Sequence, residues 1–283
     1  MQTHSGVQIG TLTTTVSEVG QGPDLLWIAG GGYFGSAWHE HFVPHFADRF
    51  HNLTFDTRGT DGTACTDTLP WSIADMARDA AALLETFATG QAAVVGHSMG
   101  GAIGLQLALD RPDLISRVVV LASGADTATG WAGDFMRAEI ALRRAGVRLS
   151  TEFSTVHYAP LLYPAEALGD PALWARIKTS LSDPSFHENN EDTIESQWQA
   201  CAEFDVSARM AQLAVPVDFV AFGEDVSAPP ELGRSSADLS PLARYHEIPG
   251  LGHCSLFGHR PEAVSTALDR ILSTERERQE DEG

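Results

Sequence analysis

The sequence predicts an α/β protein with a mostly parallel, doubly wound sheet and an inserted helical cap. Three observations support this prediction. Short and nearly continuous apolar runs recur along the chain, helical patterns separate them, and this alternation stops between about residues 126 and 205. Continuous apolar runs are typical of strands that are covered on both faces. Strands that alternate with helices favour right-handed crossovers and therefore a parallel sheet.

Buried strands are predicted at six places along the chain. They are DLLWIA (24–29), NLTFD (52–56), AAVVG (92–96), RVVVLA (117–122), VDFVAF (217–222) and ARYHEI (243–248). Ahead of them, GVQIGTLTTTV alternates apolar and polar residues and leads to the turn GQGPD. That alternation predicts an antiparallel hairpin at the edge of the sheet.

Helices are predicted between these strands. In SIADMARDAAALLETFA the apolar residues recur at helical spacing, and Ser72 with Asp75 predicts a capping box. A second helix is expected to start at Ser98 and to stop before Pro112, because proline disfavours a helical residue before it. A third helix is expected to begin at Pro261, since proline is favoured at the first helical position.

The break in the alternation predicts an insertion. Residues 126–205 carry mostly helical patterns, and the strands resume at VPVDFVAF. We therefore expect a core of residues 1–125 and 206–283 and a helical cap, or lid, of residues 126–205. Ligands of α/β sheets bind at the carboxyl ends of the strands, which is where such an insertion would lie.

Composition limits the possible partners. The 283 residues include 38 acidic and 18 basic ones, a formal net charge of −20. This charge argues against binding to nucleic acid or to an anionic membrane surface, and it disfavours anionic substrates such as coenzyme A thioesters.

The sequence shows no apolar run of bilayer length and no signal-peptide pattern. Three cysteines without a CxxC pair favour a reducing compartment, so a cytoplasmic location is expected.

Ser98 lies in Gly96-His97-Ser98-Met99-Gly100, between a predicted strand and a predicted helix. This is the G-x-S-x-G pattern of a nucleophile elbow in the context that the elbow requires. On the pentapeptide alone, a glycine-eased turn with an idle serine is the alternative. The additional Gly101 and Gly104 are expected to let the helix pack close to the sheet.

A serine hydroxyl needs a base that takes its proton, and the base needs an acid that orients it. His253 follows the predicted strand ARYHEI and precedes the helix at Pro261, so it is the predicted base. Asp225 follows VDFVAF at the carboxyl end of a strand and is the predicted acid. Its neighbour Glu224 is the competitor. Asp205 is a further alternative, but its surroundings are typical of a helix N-cap.

Other histidines cluster early in the chain. His41 and His45 have the i,i+4 spacing of a metal pair, but Pro44 lies between them and no HExxH motif is present. They are interpreted as surface histidines of a helix, and no metal site is predicted.

An oxyanion that develops on a carbonyl group needs preorganised donors. The backbone N–H of Met99, directly after the candidate nucleophile, is one predicted donor. The second is expected from the loop IAGGGYFGSAW, where glycines allow close approach of the backbone. Counting from Trp38, Gly31 is the first choice and Gly32 the second. A plain glycine turn is the alternative for this loop.

Together these motifs resemble the α/β-hydrolase superfamily, in its cap-bearing, lipase- and lactonase-like bacterial branch. The motifs IAGGGYFGSAW, DTRGTDGT, GHSMGG, GEDVSAPP and PGLGHCSLFGHRPEAV follow the family order over roughly residues 7–273. Two departures stand out: Ala29 occupies the place of a common histidine, and GEDVSAPP is about one residue shorter than the usual spacing, which keeps Glu224 in view. Arg58 and Gly59 are expected to shape a turn.

The resemblance implies an α/β-hydrolase fold and a serine hydrolase that cleaves an ester or lactone through an acyl-enzyme, with no cofactor and no metal. The alternatives are a thioesterase, another acyl or carbon–carbon bond hydrolase, and a ligand receptor with slow turnover. Cys254, beside His253, is interpreted as a packing neighbour. The small-molecule substrate and the oligomeric state stay open. The candidate pocket residues are Gly32, Trp38, Phe135, Tyr158 and Trp198.

Overall fold

The computed structural model describes residues 1–60, 62–182 and 191–281. The strands are β1 (Gln2–Ile9), β2 (Leu12–Val19), β3 (Asp24–Ile28), β4 (His51–Phe55), β5 (Ala64–Cys65), β6 (Ala92–His97), β7 (Ile115–Leu121), β8 (Val217–Phe222) and β9 (Ala243–Ile248). The helices are α1 (Val43–Phe46), α2 (Ile73–Phe87), α3 (Met99–Asp110), α4 (Gly130–Arg144), α5 (Thr151–Leu162), α6 (Ala165–Gly169), α7 (Pro171–Leu181), α8 (Glu191–Ala202), α9 (Pro230–Ala237) and α10 (Pro261–Asp281). Short 3₁₀ turns lie at Gly35–His39, Pro112–Leu114 and Ser207–Gln212.

The strands form one sheet in the order β1-β2-β4-β3-β6-β7-β8-β9, with β5 beside β2. From β4 to β9 every neighbouring pair is parallel, whereas β1 with β2 and β2 with β4 are antiparallel. The prediction of a mostly parallel, doubly wound sheet with an antiparallel hairpin at its edge is confirmed. β1 begins at Gln2, earlier than the alternating stretch indicates.

Both faces of the sheet are covered. Successive side chains of a strand point to opposite faces, so neighbours in β6 enter different cores. Val94 packs on one side with Ile103 of α3 and with α2, while Val95 packs on the other with Leu268 of α10 and with α1. The predicted capping box of α2 is present, because Ser72 accepts from the Asp75 amide and Asp75 accepts from the Ser72 amide.

Glycines allow α3 to pack closely against the sheet. A Cβ at Gly96 would lie 2.1 Å from the carbonyl oxygen of Gly100, and a Cβ at Gly100 would lie 2.2 Å from that of Ile28. A Cβ at Gly101 would approach Val120 to 2.9 Å. The backbone itself blocks a side chain at Gly96 and Gly100, so glycine is required at both ends of the turn that holds Ser98.

Gly100→Ala is therefore expected to destabilise the fold strongly, by about 3 kcal/mol, because α3 must move away from the sheet. Gly90→Ala is the matched control, since a Cβ there meets nothing within 4 Å, and it should change stability by less than about 0.5 kcal/mol. Urea unfolding followed by circular dichroism measures both. Equal unfolding midpoints for the two variants would show that the backbone contact does not constrain the fold.

The chain between β7 and β8 contains the helices α4 to α8, joined by short loops in its described parts. It leaves the sheet at the carboxyl end of β7. Asp126 and Asp205 pair in an isolated antiparallel bridge, which brings together the residues where the sequence places the ends of the insertion. The division into two domains at these residues stays a prediction.

None of the described helices combines the length and the apolarity that crossing a bilayer requires.

Candidate active site

Ser98 occupies a strained turn between β6 and α3. Its φ of 53° and ψ of −118° place a non-glycine residue in a region that L-amino acids rarely adopt. The amide of Ser98 donates to the carbonyl oxygen of Leu121 at 2.9 Å, which ties the turn to the end of β7. Strain of this kind persists where the surrounding structure over-determines it. The turn thereby holds the hydroxyl above the carboxyl end of the sheet.

His253 joins Ser98 to Asp225. The Nε2 atom of His253 lies 3.0 Å from the Ser98 Oγ, and its Nδ1 lies 2.7 Å from the Asp225 Oδ2. Both residues are buried, with exposures of 8% for His253 and 4% for Asp225. A carboxylate beside Nδ1 accepts the Nδ1–H, which leaves the Nε2 lone pair facing the serine hydroxyl. The arrangement can therefore take the hydroxyl proton.

The three carboxylates considered from the sequence separate in space. Asp225 contacts His253, and its other oxygen accepts the Ala228 amide at 2.8 Å. No hydrogen bond joins the Glu224 carboxylate to His253 in the described part of the chain; the Glu224 amide donates to the carbonyl oxygen of Leu251. Asp205 accepts the Ser207 amide at 2.9 Å, but it is not the N-cap that its surroundings predict, because the 3₁₀ turn that follows is capped at Val206. The structure thus brings Asp225 to the histidine.

The glycine loop after β3 lies next to Ser98. A Cβ at Gly31 would lie 3.7 Å from the Met99 sulfur. The Gly32 amide donates to the Gln197 side chain at 2.9 Å, so this N–H is already engaged. Among the described residues, no acceptor receives the amides of Met99 or Gly31. Both amides are therefore available to an oxyanion, and the bond that engages the Gly32 amide favours Gly31 over Gly32.

Gln197 was not found from the sequence. It lies on α8 and its side chain is fully buried. The Oε1 atom accepts from the Gly32 amide, and the Nε2 atom donates to the Arg58 carbonyl oxygen at 2.8 Å. On the same helix, Thr193 donates to the Gly59 carbonyl oxygen at 2.9 Å. These bonds attach one helix of the predicted cap to the glycine loop and to the turn beside it. A polar residue on an amphipathic helix gives no sequence signal of such a role.

Ion pairs of Arg58 fix the conformation of the turn that contains Arg58 and Gly59. Arg58 is buried and donates to Asp79 at 2.6 and 2.7 Å and to Asp67 at 2.9 Å. Gly59 has a φ of 92°, a conformation that glycine adopts without strain. Arg58 and Gly59 therefore shape a turn, as the sequence predicts, and the turn supplies the carbonyl oxygens that α8 binds.

His97 supports the backbone of His253. Its Nε2–H donates to the carbonyl oxygen of His253 at 2.9 Å, and the two rings lie 4.8 Å apart. Burial, and secondarily the nearby His253, holds the pKa of His97 well below its ordinary value. His97 therefore stays neutral and adds no positive charge beside the candidate base.

Cys254 follows the candidate base and is fully buried near Tyr33. Burial raises the pKa of its thiol to about 12. The sulfur is therefore protonated at neutral pH, and a thiol is a much poorer nucleophile than a thiolate. This agrees with its interpretation as a packing neighbour.

The early histidines make separate contacts. His45 pairs with Asp269 at 2.9 Å, and His41 lies 3.5 Å from the carboxylate of its neighbour Glu40. Across residues 1–60, 62–182 and 191–281, no group of three or more His, Cys, Asp or Glu side chains is placed to hold a metal ion.

A cavity of about 250 Å³ opens beside Ser98, with His253, Met99 and Gly31 in its wall. Four of the predicted pocket residues line it: Gly32, Phe135, Tyr158 and Trp198. Other apolar residues in its lining include Met136, Leu161, Leu162, Ile194 and Leu232. Core and helical insertion together thus form an apolar chamber.

Trp38 was wrongly predicted to line the pocket. It is fully buried and packs against Trp27 and Phe42, with ring centroids 5.0 and 5.2 Å away. The 3₁₀ turn Gly35–His39 carries it away from the glycine loop, and the ring joins the core on one face of the sheet.

Comparisons with known proteins agree with this geometry. A family model described as alpha/beta hydrolase fold matches residues 25–259. The protein named "Putative non-heme bromoperoxidase BpoC" from Mycobacterium tuberculosis is 33% identical over 277 residues, covering 90% of this chain and 95% of that protein. "Putative carbamate hydrolase RutD" from Caulobacter sp. (strain K31) is 31% identical over 284 residues, covering 95% of this chain and 99% of that one.

Solved structures show the same architecture. The crystal structure of "Putative non-heme bromoperoxidase BpoC" from Mycobacterium tuberculosis H37Rv superposes with a TM-score of 0.83 at 30% identity, over 93% of this chain and 96% of that one. The enol-lactonase from Burkholderia xenovorans LB400 gives a TM-score of 0.77 at 22% identity, over 92% and 97% of the two chains. At that identity the likeness concerns the fold alone.

Proposed function

The chain belongs to the α/β-hydrolase fold family, and on that premise we propose that it is a serine hydrolase of a small to medium, largely apolar ester or lactone. The observation that carries the proposal is the chain of contacts from Ser98 through His253 to Asp225 in the wall of an apolar cavity. A hydroxyl, a base and an orienting acid within hydrogen-bond reach are what nucleophilic acyl transfer requires.

Acylation begins at Ser98. Its Oγ attacks the carbonyl carbon of the substrate while the Nε2 of His253 takes the hydroxyl proton. Asp225, bonded to Nδ1, stabilises the imidazolium that forms. The amides of Met99 and Gly31 receive the negative charge of the carbonyl oxygen. The carbon–oxygen bond to the leaving group then breaks, and His253 returns its proton to the departing alkoxide.

Deacylation repeats these steps with water. His253 removes a proton from a water molecule, and the resulting hydroxide attacks the acyl-enzyme. The tetrahedral intermediate collapses, Ser98 regains its proton from His253, and the carboxylic acid leaves. For a lactone the alcohol and the acid are parts of one product, because the ring opens in the first step.

The proposed cap, residues 126–205, determines which substrates the cavity accepts. It contributes Phe135, Met136, Leu161 and Trp198 to the cavity wall, and these side chains favour a substrate with a largely apolar acyl chain. The few cysteines of the chain are free in the described residues. Free thiols are typical of a reducing compartment, so we propose a cytoplasmic location.

A substrate panel tests the proposal. Wild type and Ser98→Ala are assayed on p-nitrophenyl esters of increasing chain length, simple lactones and acyl thioesters. We expect wild type to hydrolyse short and medium esters or lactones, and Ser98→Ala to hydrolyse none. A wild type without turnover on any of them, although a fluorophosphonate labels it, would favour the receptor alternative instead. Faster turnover of thioesters than of esters would favour the thioesterase.

A carbamate is a second candidate substrate. It is favoured by the relative that is named a carbamate hydrolase and is 31% identical over nearly the whole chain. The same groups would attack the carbamate carbonyl and protonate its nitrogen leaving group. Adding ammonia release from free carbamate to the panel, measured above the spontaneous rate, separates the two candidates.

Gln197→Leu tests how the glycine loop is held. The variant leaves the Gly32 amide and the Arg58 carbonyl oxygen unpaired, so the loop that carries Gly31 should lose its fixed position. We expect kcat to fall by up to about 100-fold, the effect of a small misplacement of a catalytic group, while KM changes little. Gln199→Leu, on the same helix but bonded to Arg144 and Glu203, is the control. Equal kinetics of the two variants would rule out the role of Gln197.

A further inference from the structure

Arg143 places a positive charge in the wall of the cavity beside Ser98, whose other described lining residues include no Lys, Arg, Asp or Glu. It lies on α4 and lines the cavity beside Tyr158 and Trp198, with its guanidinium carbon 4.9 Å from the centroid of the Trp198 ring. Stacking on an aromatic face holds a planar guanidinium in a fixed orientation.

The guanidinium of Arg143 has no carboxylate partner among the residues that the structure describes. In the described ranges no carboxylate lies within 4 Å of its nitrogens, whereas the other arginines of the same helix, Arg137 and Arg144, pair with Asp134 and Glu195. The Nε atom of Arg143 is buried without a hydrogen-bond partner among these residues. A buried donor without an acceptor is costly, so a ligand that supplies one is favoured.

Glu139, one turn earlier on α4, does not fill this role. Its two carboxylate oxygens are occupied by other groups, Oε2 by the Tyr158 hydroxyl at 2.6 Å and Oε1 by His157 Nε2 at 3.2 Å. Arg143 also interacts with the Tyr158 hydroxyl, so the three groups form a relay from the carboxylate to the cavity. The buried Nε of Arg143 takes no part in these contacts among the described residues, so a ligand can supply its acceptor.

We propose that Arg143 binds the carboxylate of a substrate that carries its ester or lactone group at one end and a carboxylate at the other. The inference rests on the proposed function. The acidic protein repels polyanions in general, so it is a single carboxylate, inside an apolar chamber that strengthens its attraction to the guanidinium, that fits the site. Most of the other residues that line the cavity are apolar, which suits a methylene chain that joins the two ends of such a substrate.

A matched pair of esters measures the preference. p-Nitrophenyl hydrogen adipate and p-nitrophenyl hexanoate have acyl chains of the same length and differ in a terminal carboxylate against a methyl group. Wild type should hydrolyse the adipate ester with at least the kcat/KM of the hexanoate ester, after subtraction of the spontaneous rate. Arg143→Gln should lower the adipate-to-hexanoate ratio about tenfold or more, the usual effect of losing a charged hydrogen bond. Arg143→Lys should retain part of it.

Arg144→Gln is the control, because it removes the same charge from the next position of α4, where the side chain pairs with Glu195 outside the cavity lining. Its ratio should equal that of wild type. An unchanged ratio in Arg143→Gln, or the same change in both variants, would overturn the proposal. Thermal melts of the variants separate a lost binding contact from a lost fold.

Binding tests the inference without turnover. In the Ser98→Ala background, hexanoate should bind at least about tenfold more tightly than hexanamide by calorimetry, and adding Arg143→Gln should remove the difference. Equal affinities for acid and amide would overturn the carboxylate site. If the esters are not hydrolysed by wild type but this difference is found, the proposed reaction fails while the carboxylate site stands.

Discussion

Ser98→Ala is expected to lower kcat by at least about 10⁴-fold, because the variant keeps the base, the acid and the oxyanion donors but has no atom that can form the acyl-enzyme. The fold should persist, since alanine retains the Cβ and removes a hydroxyl that, within the described part of the chain, bonds to His253 alone. Initial rates on the best ester of the panel, together with circular dichroism, measure both effects.

Cys254→Ala is the informative comparison for this variant. Its thiol is the other nucleophilic side chain next to His253, and burial keeps it protonated. Cys254→Ala should therefore keep turning over the ester under conditions in which Ser98→Ala does not. The reverse pattern would make the cysteine the nucleophile.

Asp225→Asn should have the next largest effect, a loss of about 10⁴-fold in kcat. A carboxamide cannot stabilise the imidazolium, and it can donate an N–H to Nδ1 of His253. That bond favours the tautomer whose Nε2 already carries a proton, so the ring can no longer take one from Ser98. The size of the loss follows from the buried, 2.7 Å contact between the two side chains.

Glu224→Gln is the matched control, one residue earlier and with the same chemical change. It should alter kcat by a few-fold at most, because Glu224 makes no bond to His253 within the described residues. Full activity in Asp225→Asn with a large loss in Glu224→Gln would mean that the neighbouring carboxylate rotates into place, which is the alternative that the short GEDVSAPP spacing raises.

Much of this site could be predicted because each group stands at a recognisable local position. Ser98 lies between a strand and a helix, and the glycines around it form the local pattern of a tight turn. Asp225 and His253 follow strands, and the carboxyl ends of parallel strands share one edge of a sheet. Local sequence therefore places all three groups at the same edge without any knowledge of distant contacts.

The remaining features depend on contacts across long stretches of chain. Gln197 bonds to Gly32, 165 positions away, and to Arg58, 139 positions away. Its helix gives an amphipathic pattern that predicts only which face is covered. The prediction that Trp38 lines the pocket is wrong for the same reason, because its spacing from the glycine loop does not show in which direction the 3₁₀ turn points its ring. The inward position of Arg143, among outward-facing arginines on α4, likewise follows from the neighbouring Trp198 and Tyr158.

The role of Ser98 as the nucleophile is tested most directly by labelling with a fluorophosphonate and mapping the adduct by peptide mass spectrometry. We expect one adduct per chain, on the peptide that contains Ser98, with esterase activity lost in proportion to labelling and no adduct in Ser98→Ala. Loss of activity with the label on a different residue, or the same labelling in Ser98→Ala, would contradict the assignment of Ser98, His253 and Asp225 as a catalytic unit.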